Sequence, residues 1–159
     1  MAQPKVYVET SVVSYLVGRP SRDLVTAGHQ QITHQWWERR AESFDLCSSS
    51  LVVEEASRGN REFAARRLEV ITSLSLLAFR AEAGLLARSL MGHGVLPKKA
   101  EADAAHIALA AVHKIDYLLT WNCKHIANAE IQPVLERICR TAGYLLPILC
   151  TPEQLMGKG

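Results

Sequence analysis

Hydrophobic and polar positions change period repeatedly along the chain, and each change marks the edge of an element. Lys5 to Glu9 (KVYVE) predicts a short strand, and the polar pair Thr10 and Ser11 starts a helix that ends near Gly18, with Pro20 beyond it. Ser21 to Glu42 predicts a long amphipathic helix with Ile32, Trp36 and Trp37 on or near one side. Phe44 to Ser49 is a second strand, followed by a short helix from Leu51 that Gly59 terminates and by another helix from Arg61. Leu68 to Leu77 is expected to be the third strand. Phe79, Ala83, Leu86 and Leu90 recur at helical spacing through Met91, and the segment from Gly92 to Pro97 breaks that pattern. A helix over about Lys99 to Lys114, a strand from Tyr117 to Trp121, a helix from Glu130 to Arg140 and a strand from Tyr144 to Cys150 complete the expected order. Thr151, Pro152 and Glu153 then start a terminal helical turn.

Strands that alternate with helices imply an α/β fold, a parallel sheet covered on both faces, because parallel crossovers need room and are commonly helical. At 159 residues and 48% hydrophobic composition the chain suits a single domain, 1–159, able to bury a core of its own. In such sheets ligands bind beyond the carboxyl ends of the strands, beside the point where strand order reverses. The residues that follow each strand are therefore the ones to inspect for chemistry.

Composition narrows the field only modestly. Lys plus Arg number 18 against 16 Asp plus Glu, so the whole-molecule field does not announce a nucleic-acid partner and any basic surface must be local. No charged leader with a long apolar stretch opens the chain, and the longest apolar runs fall short of the ~20 residues a membrane-spanning helix needs. A soluble, cytoplasmic protein without membrane partners is the expectation. Cys47, Cys123, Cys139 and Cys150 are scattered without a C-x-x-C pair, which argues for reduced thiols rather than zinc or redox chemistry.

Polar oxygens do gather after the strands. The first strand ends in Glu9, the second runs into Ser49 and Ser50 just before Glu54 and Glu55, and the fourth runs into Asn122. Taken alone, Glu9 could simply cap the helix that follows it. Asp103 carries more weight, because its neighbours at helical spacing are Ala100, Ala104, Ile107, Ala108 and Ala111. A carboxylate on an apolar stripe needs a cation or good donors; capping the first turn is the alternative. Helical phase separates Glu55, nearer the apolar side set by Leu51, Val52 and Ala56, from Glu54, which points away and can pair with Arg58 four residues on. Three carboxylates and an amide oxygen (Glu9, Glu55, Asp103, Asn122) form a hard-oxygen set suited to Mg²⁺ or Mn²⁺ and to phosphodiester hydrolysis.

These residues sit in segments that resemble one family. V-Y-V-E-T-S-V-V-S-Y-L, S-S-L-V-V-E-E-A-S-R-G, A-D-A-A-H-I-A-L-A-A-V-H-K-I-D-Y-L-L-T-W-N-C-K-H-I-A-N and P-I-L-C-T-P-E-Q-L resemble the PIN-domain nucleases, and within them the VapC-like toxins of prokaryotic toxin–antitoxin pairs. The third segment is the most specific. The resemblance implies a three-layer PIN-like fold with sheet order 3-2-1-4-5, a metal-bound cluster of Glu9, Glu55, Asp103 and Asn122, and endoribonuclease activity with Mg²⁺ or Mn²⁺. It also implies RNA as substrate, a cognate antitoxin as partner and a homodimer. The chain departs from the family pattern at two places: the first acid is usually Asp and here is Glu9, and the fourth is often Asp and here is Asn122. The second change leaves the site about one negative charge poorer, so a weaker, Mn²⁺-favouring or substrate-dependent metal site is expected.

Other side chains lie close enough in sequence to assist. Thr10, Ser11 and Thr120 could orient water or phosphate, although capping explains the first two equally well. Arg58, Arg61, Lys98, Lys99 and Lys124 could touch RNA phosphates, and Trp36 and Trp37 could stack bases or pack on a core. His106 and His125 are read as packing or hydrogen-bonding histidines, with a role toward phosphate as the alternative. Two rivals from other classes are a catalytically silent binding module on the same fold and a phosphoacceptor signalling domain. The latter needs an acceptor Asp after the first strand and a Lys at the last strands, and neither is present at Glu9 or over Tyr144 to Cys150. A dehalogenase-like phosphatase is disfavoured because E-T-S-V-V lacks the paired Asp residues.

Overall fold

A computed structural model describes residues 2–158. Its centre is a five-stranded sheet in which β1 (Lys5–Val8) lies between β2 (Asp45–Ser49) and β4 (Tyr117–Leu119). β3 (Ser75–Leu77) and β5 (Ile148–Cys150) form the two edges, giving the order β3-β2-β1-β4-β5. Every pairing is parallel, with Tyr7 opposite Cys47 and Leu118, and Leu119 opposite Cys150. All carboxyl ends therefore share one edge, and the strand order reverses at β1, directly followed by Glu9.

Helices cover both faces of this sheet. α1 (Thr10–Val17) packs against α2 (Leu24–Arg40), α3 (Ser50–Ala56) and α4 (Arg61–Thr72), while α5 (Ala81–Gly92) packs against α6 (Glu101–Val112) and α7 (Gln132–Thr141). The core runs through Val6, Val8, Val12, Val13, Ile107, Leu118 and Leu119, all fully buried. From Ala104 to Val112 every residue of α6 except Ala105 is buried, so this helix is enclosed nearly all round and its polar members need specific partners. It ends in a Schellman arrangement: Ile115 N–H donates to Ala110 and Lys114 N–H to Ala111, with Lys114 in the left-handed region at φ 57°. None of the described helices is long and apolar enough to cross a membrane.

The structure differs from the sequence expectation at two strands. The run expected as a strand from Leu68 is helical to Thr72, and only Ser75–Leu77 pairs as β3. Ala64 and Ile71 are buried and Leu68 is half-buried, and this i, i+4, i+7 spacing is a helical stripe that outweighs the β-branched composition. The last strand begins at Ile148 rather than Tyr144, because Pro147 has no N–H to add to a ladder. After it, the Leu155 N–H donates to the Thr151 carbonyl at 3.1 Å, closing the single helical turn expected there, while Thr151 N–H donates to Gln154 Oε1 and Gln154 N–H to Thr151 Oγ1.

Trp36 is fully buried, stacks on Phe44 and donates from Nε1 to the Leu155 carbonyl, so it is a core residue and not a base platform. Trp37 packs beside it. Cys47, Cys139 and Cys150 are buried free thiols, and Cys123 is exposed.

Candidate functional site

The residue that follows β1 is the deepest acid of the set. Glu9 is only 7% exposed, and although it occupies the N-cap position of α1 its side chain makes no capping bond. Helix capping therefore does not account for it. Its Oε1 instead accepts from Ser11 Oγ and, at 2.6 Å, from Thr120 Oγ1. Thr120 follows β4, and Ser11 Oγ also accepts the Trp121 N–H at 2.8 Å, so hydroxyls from both sides of the strand-order reversal converge on one carboxylate.

Glu55 comes from α3. Ser49 caps that helix by accepting from Val52 N–H, which aims its last turn back across the strand ends. Glu55 is 26% exposed against 69% for Glu54, and Glu54 pairs with Arg58 at 3.3 Å on the solvent side. Thr10 Oγ1 and His106 Nε2, the latter at 2.8 Å, both donate to Glu55 Oε1. Atoms of Glu9, Glu55 and His106 lie within 4.8 Å of one another. Among the described residues the second oxygen of each glutamate, Oε2, accepts no hydrogen bond.

Asp103, in the first turn of α6, joins a second group. It is 19% exposed; Oδ1 accepts from Asn122 Nδ2 at 2.9 Å, and Oδ2 lies 3.1 Å from His125 Nδ1. Asn122 does not present its oxygen to this group. Its Oδ1 accepts the backbone N–H groups of Lys124 and His125, a local turn that leaves the amide nitrogen facing Asp103. The four expected residues thus arrive at one edge as two groups, Glu9 with Glu55 and Asp103 with Asn122, and the buried His106 feels the charge of both.

The charges respond to this arrangement. Burial pushes the Glu55 carboxyl upward, but the His106 hydrogen bond and charge, with Thr10 and Arg58, outweigh it and hold Glu55 below the usual carboxylate range. Burial lowers the His106 imidazole, and its bond to Glu55 with the charges of Glu9, Glu55 and Asp103 more than offsets this, so it rises. Asp103 is raised by burial despite His125. Burial also drives the Tyr7 hydroxyl far above the phenol range, so it keeps its proton.

A cleft of about 500 Å³ opens onto Glu55 and His106, lined also by Leu51, Arg58, Glu101 and Ala105 among others. Arg58 stands at its rim, and Lys124 is exposed on the loop after Asn122. Thr10, Ser11 and Thr120, expected to meet substrate, are engaged with the two glutamates. The sequence reading gave His106 a packing or hydrogen-bonding part and did not single out Tyr7. The available signals were strand parity, which sets Tyr7 and Glu9 on the same face of β1, and the three-residue step from Asp103 to His106.

No family model and no curated protein sequence matches the chain. Solved structures do. VapBC2 from Rickettsia felis, in a crystal structure bound to a DNA fragment from its promoter, matches with a TM-score of 0.59 at 19% identity, over 92% of this chain and 98% of that one. The chain has the PIN-like fold of VapC proteins. A second PIN-like neighbour, the sarcin-ricin loop cleaving toxin VapC20 from Mycobacterium tuberculosis, has a TM-score of 0.58 at 14% identity, over 88% of this chain and 96% of that one. The sheet order expected from the sequence is the order observed.

Proposed function

We propose that the chain is a divalent-metal-dependent endoribonuclease, the VapC-like toxin of a toxin–antitoxin pair, acting as a single PIN-like domain. The observation that carries this reading is the Glu9–Glu55 pair at the strand-order reversal, with ligand atoms within 4.8 Å and, among the described residues, no hydrogen bond to either Oε2. Two carboxylates so close repel, and a hard cation between them would relieve that repulsion. Glu9, Glu55 and Asp103 would hold Mg²⁺ or Mn²⁺. When bound, such an ion supplies charge neutralisation for a phosphate and acidifies water for attack on phosphorus.

The chain's own residues do the rest. Ser11 and Thr120 orient Glu9, Thr10 and His106 orient Glu55, and Asn122 and His125 orient Asp103. Arg58 and Lys124 would meet backbone phosphates, contacts that give affinity without sequence information. Support for RNA as the substrate comes from the shared fold with a toxin that cleaves the sarcin-ricin loop. A cognate antitoxin, a homodimer and a cytoplasmic setting belong to the same reading.

Incubating the purified chain with structured RNA and Mn²⁺, with and without a chelator, tests it. Cleavage that needs the metal and disappears in Asp103→Asn is the expected result. Equal cleavage by wild type and Asp103→Asn would sink the assignment. No cleavage by either, with RNA still bound, would favour a silent binding module.

A further inference from the structure

Behind Glu55 lies a buried path of side chains that the acid set does not include. His106 Nε2 is 2.8 Å from Glu55 Oε1, His106 Nδ1 is 2.7 Å from the Tyr7 hydroxyl, and that hydroxyl is 2.7 Å from Ser49 Oγ. Ser49 is the N-cap of α3, the helix that carries Glu55. The path is therefore closed: it leaves Glu55, crosses α6, β1 and the end of β2, and returns along α3. Tyr7 and Ser49 are fully buried and His106 is 1% exposed, so no water competes for these bonds.

His106 Nε2 lies near enough to both glutamates to be taken for a third metal ligand. The hydrogen-bond chemistry argues otherwise. An ionised carboxylate only accepts, so Nε2 carries a hydrogen aimed at Glu55 and its lone pair is not on offer. The hydroxyls of Tyr7 and Ser49 can each donate or accept, so they satisfy Nδ1 whichever way it is protonated. Exposure points the same way: both side chains line the cleft, but the imidazole is 1% exposed against 26% for Glu55.

Resting on the nuclease reading above, we propose that His106, held by Tyr7 and Ser49, is a positioning residue that fixes Glu55 for a divalent cation and is not itself a ligand. Partners of this kind set the orientation of a ligand, and their loss typically weakens metal binding about 10–100-fold. Tyr7→Phe keeps the ring in its buried slot and removes only the hydroxyl.

The test is Mn²⁺ binding by the full chain, measured by calorimetry together with pulsed electron paramagnetic resonance. Wild type is expected to bind Mn²⁺ with no nitrogen in direct coordination. Tyr7→Phe and His106→Leu should bind about 10–100-fold more weakly. His106→Gln, which restores an N–H donor toward Glu55, should recover most of the loss. If Tyr7→Phe does not fold, the His106 pair and the wild-type spectrum still decide. A directly coordinated imidazole nitrogen, or wild-type affinity in His106→Leu, would overturn the proposal. Failure of the wild type to bind Mn²⁺ at all is a separate outcome that overturns the nuclease reading and the positioning role with it.

Discussion

Replacing Glu9 by Gln should make the metal-free protein more stable and the metal-loaded protein less so. The ligand atoms of Glu9 and Glu55 lie within 4.8 Å, which at an effective dielectric constant of ~20 amounts to about 3 kcal/mol of repulsion. Against this, the bonds from Ser11 and Thr120 become neutral ones, a loss of roughly 1 kcal/mol each. The remainder, about 1 kcal/mol in favour of the variant, corresponds to a rise in Tm of ~2–4 °C for a chain of this size. Mn²⁺ at about 100 times its Kd should then stabilise the wild type by ~2.7 kcal/mol, more than the variant's lead, while the variant, short of one ligand, responds weakly. Differential scanning calorimetry at a pH high enough to leave the His106 imidazole neutral, so that no attraction to Glu9 is lost with the charge, reads both states, with chelator and with Mn²⁺. The expected signature is a crossing, with Glu9→Gln melting higher without metal and lower with it. A variant that melts below wild type in chelator, or that gains as much from Mn²⁺, would refute the reasoning.

Other consequences follow from features away from the acids. Lys114 holds a left-handed backbone at the end of α6, so Lys114→Gly should raise stability by about 1 kcal/mol in urea unfolding, and a loss of stability would count against the strain. Asp23 caps α2, and its bond from the Thr26 N–H, with that from the Thr26 hydroxyl, lowers its carboxyl. Its contribution is therefore present above the unfolded pKa and is lost as pH falls through the lowered folded value. The stability gap between wild type and Asp23→Ala should be widest near neutral pH and narrow in acid, and a gap independent of pH would contradict this. Of the four thiols only Cys123 is exposed, so a thiol reagent should label one cysteine quickly and the other three only on unfolding.

Much of the fold can be read from residue order because each strand ends in a change of period. Glu9, Ser49 and Thr120 mark three such ends, and a parallel sheet brings all three to one edge. Helical phase also distinguishes Glu55 from Glu54, which the structure leaves half-buried and exposed respectively. What local pattern cannot supply is the cross-chain pairing of polar atoms. The orientation of Asn122 depends on two backbone N–H groups just beyond it, and the part played by His106 depends on Tyr7, 99 residues away. The α4 boundary was missed for a different reason: Val70 and Ile71 suit a strand by composition, and only burial of Ile71 against the core reveals the helical stripe.

Single-turnover cleavage of a structured RNA as a function of Mn²⁺ concentration, for wild type and Glu55→Gln, tests the central claim most directly. The account predicts cleavage that rises with Mn²⁺ and saturates in the wild type, and a rate at least about 100-fold lower, or ~2.7 kcal/mol of barrier, in the variant. Cleavage by Glu55→Gln at the wild-type rate and with the same Mn²⁺ dependence would contradict it.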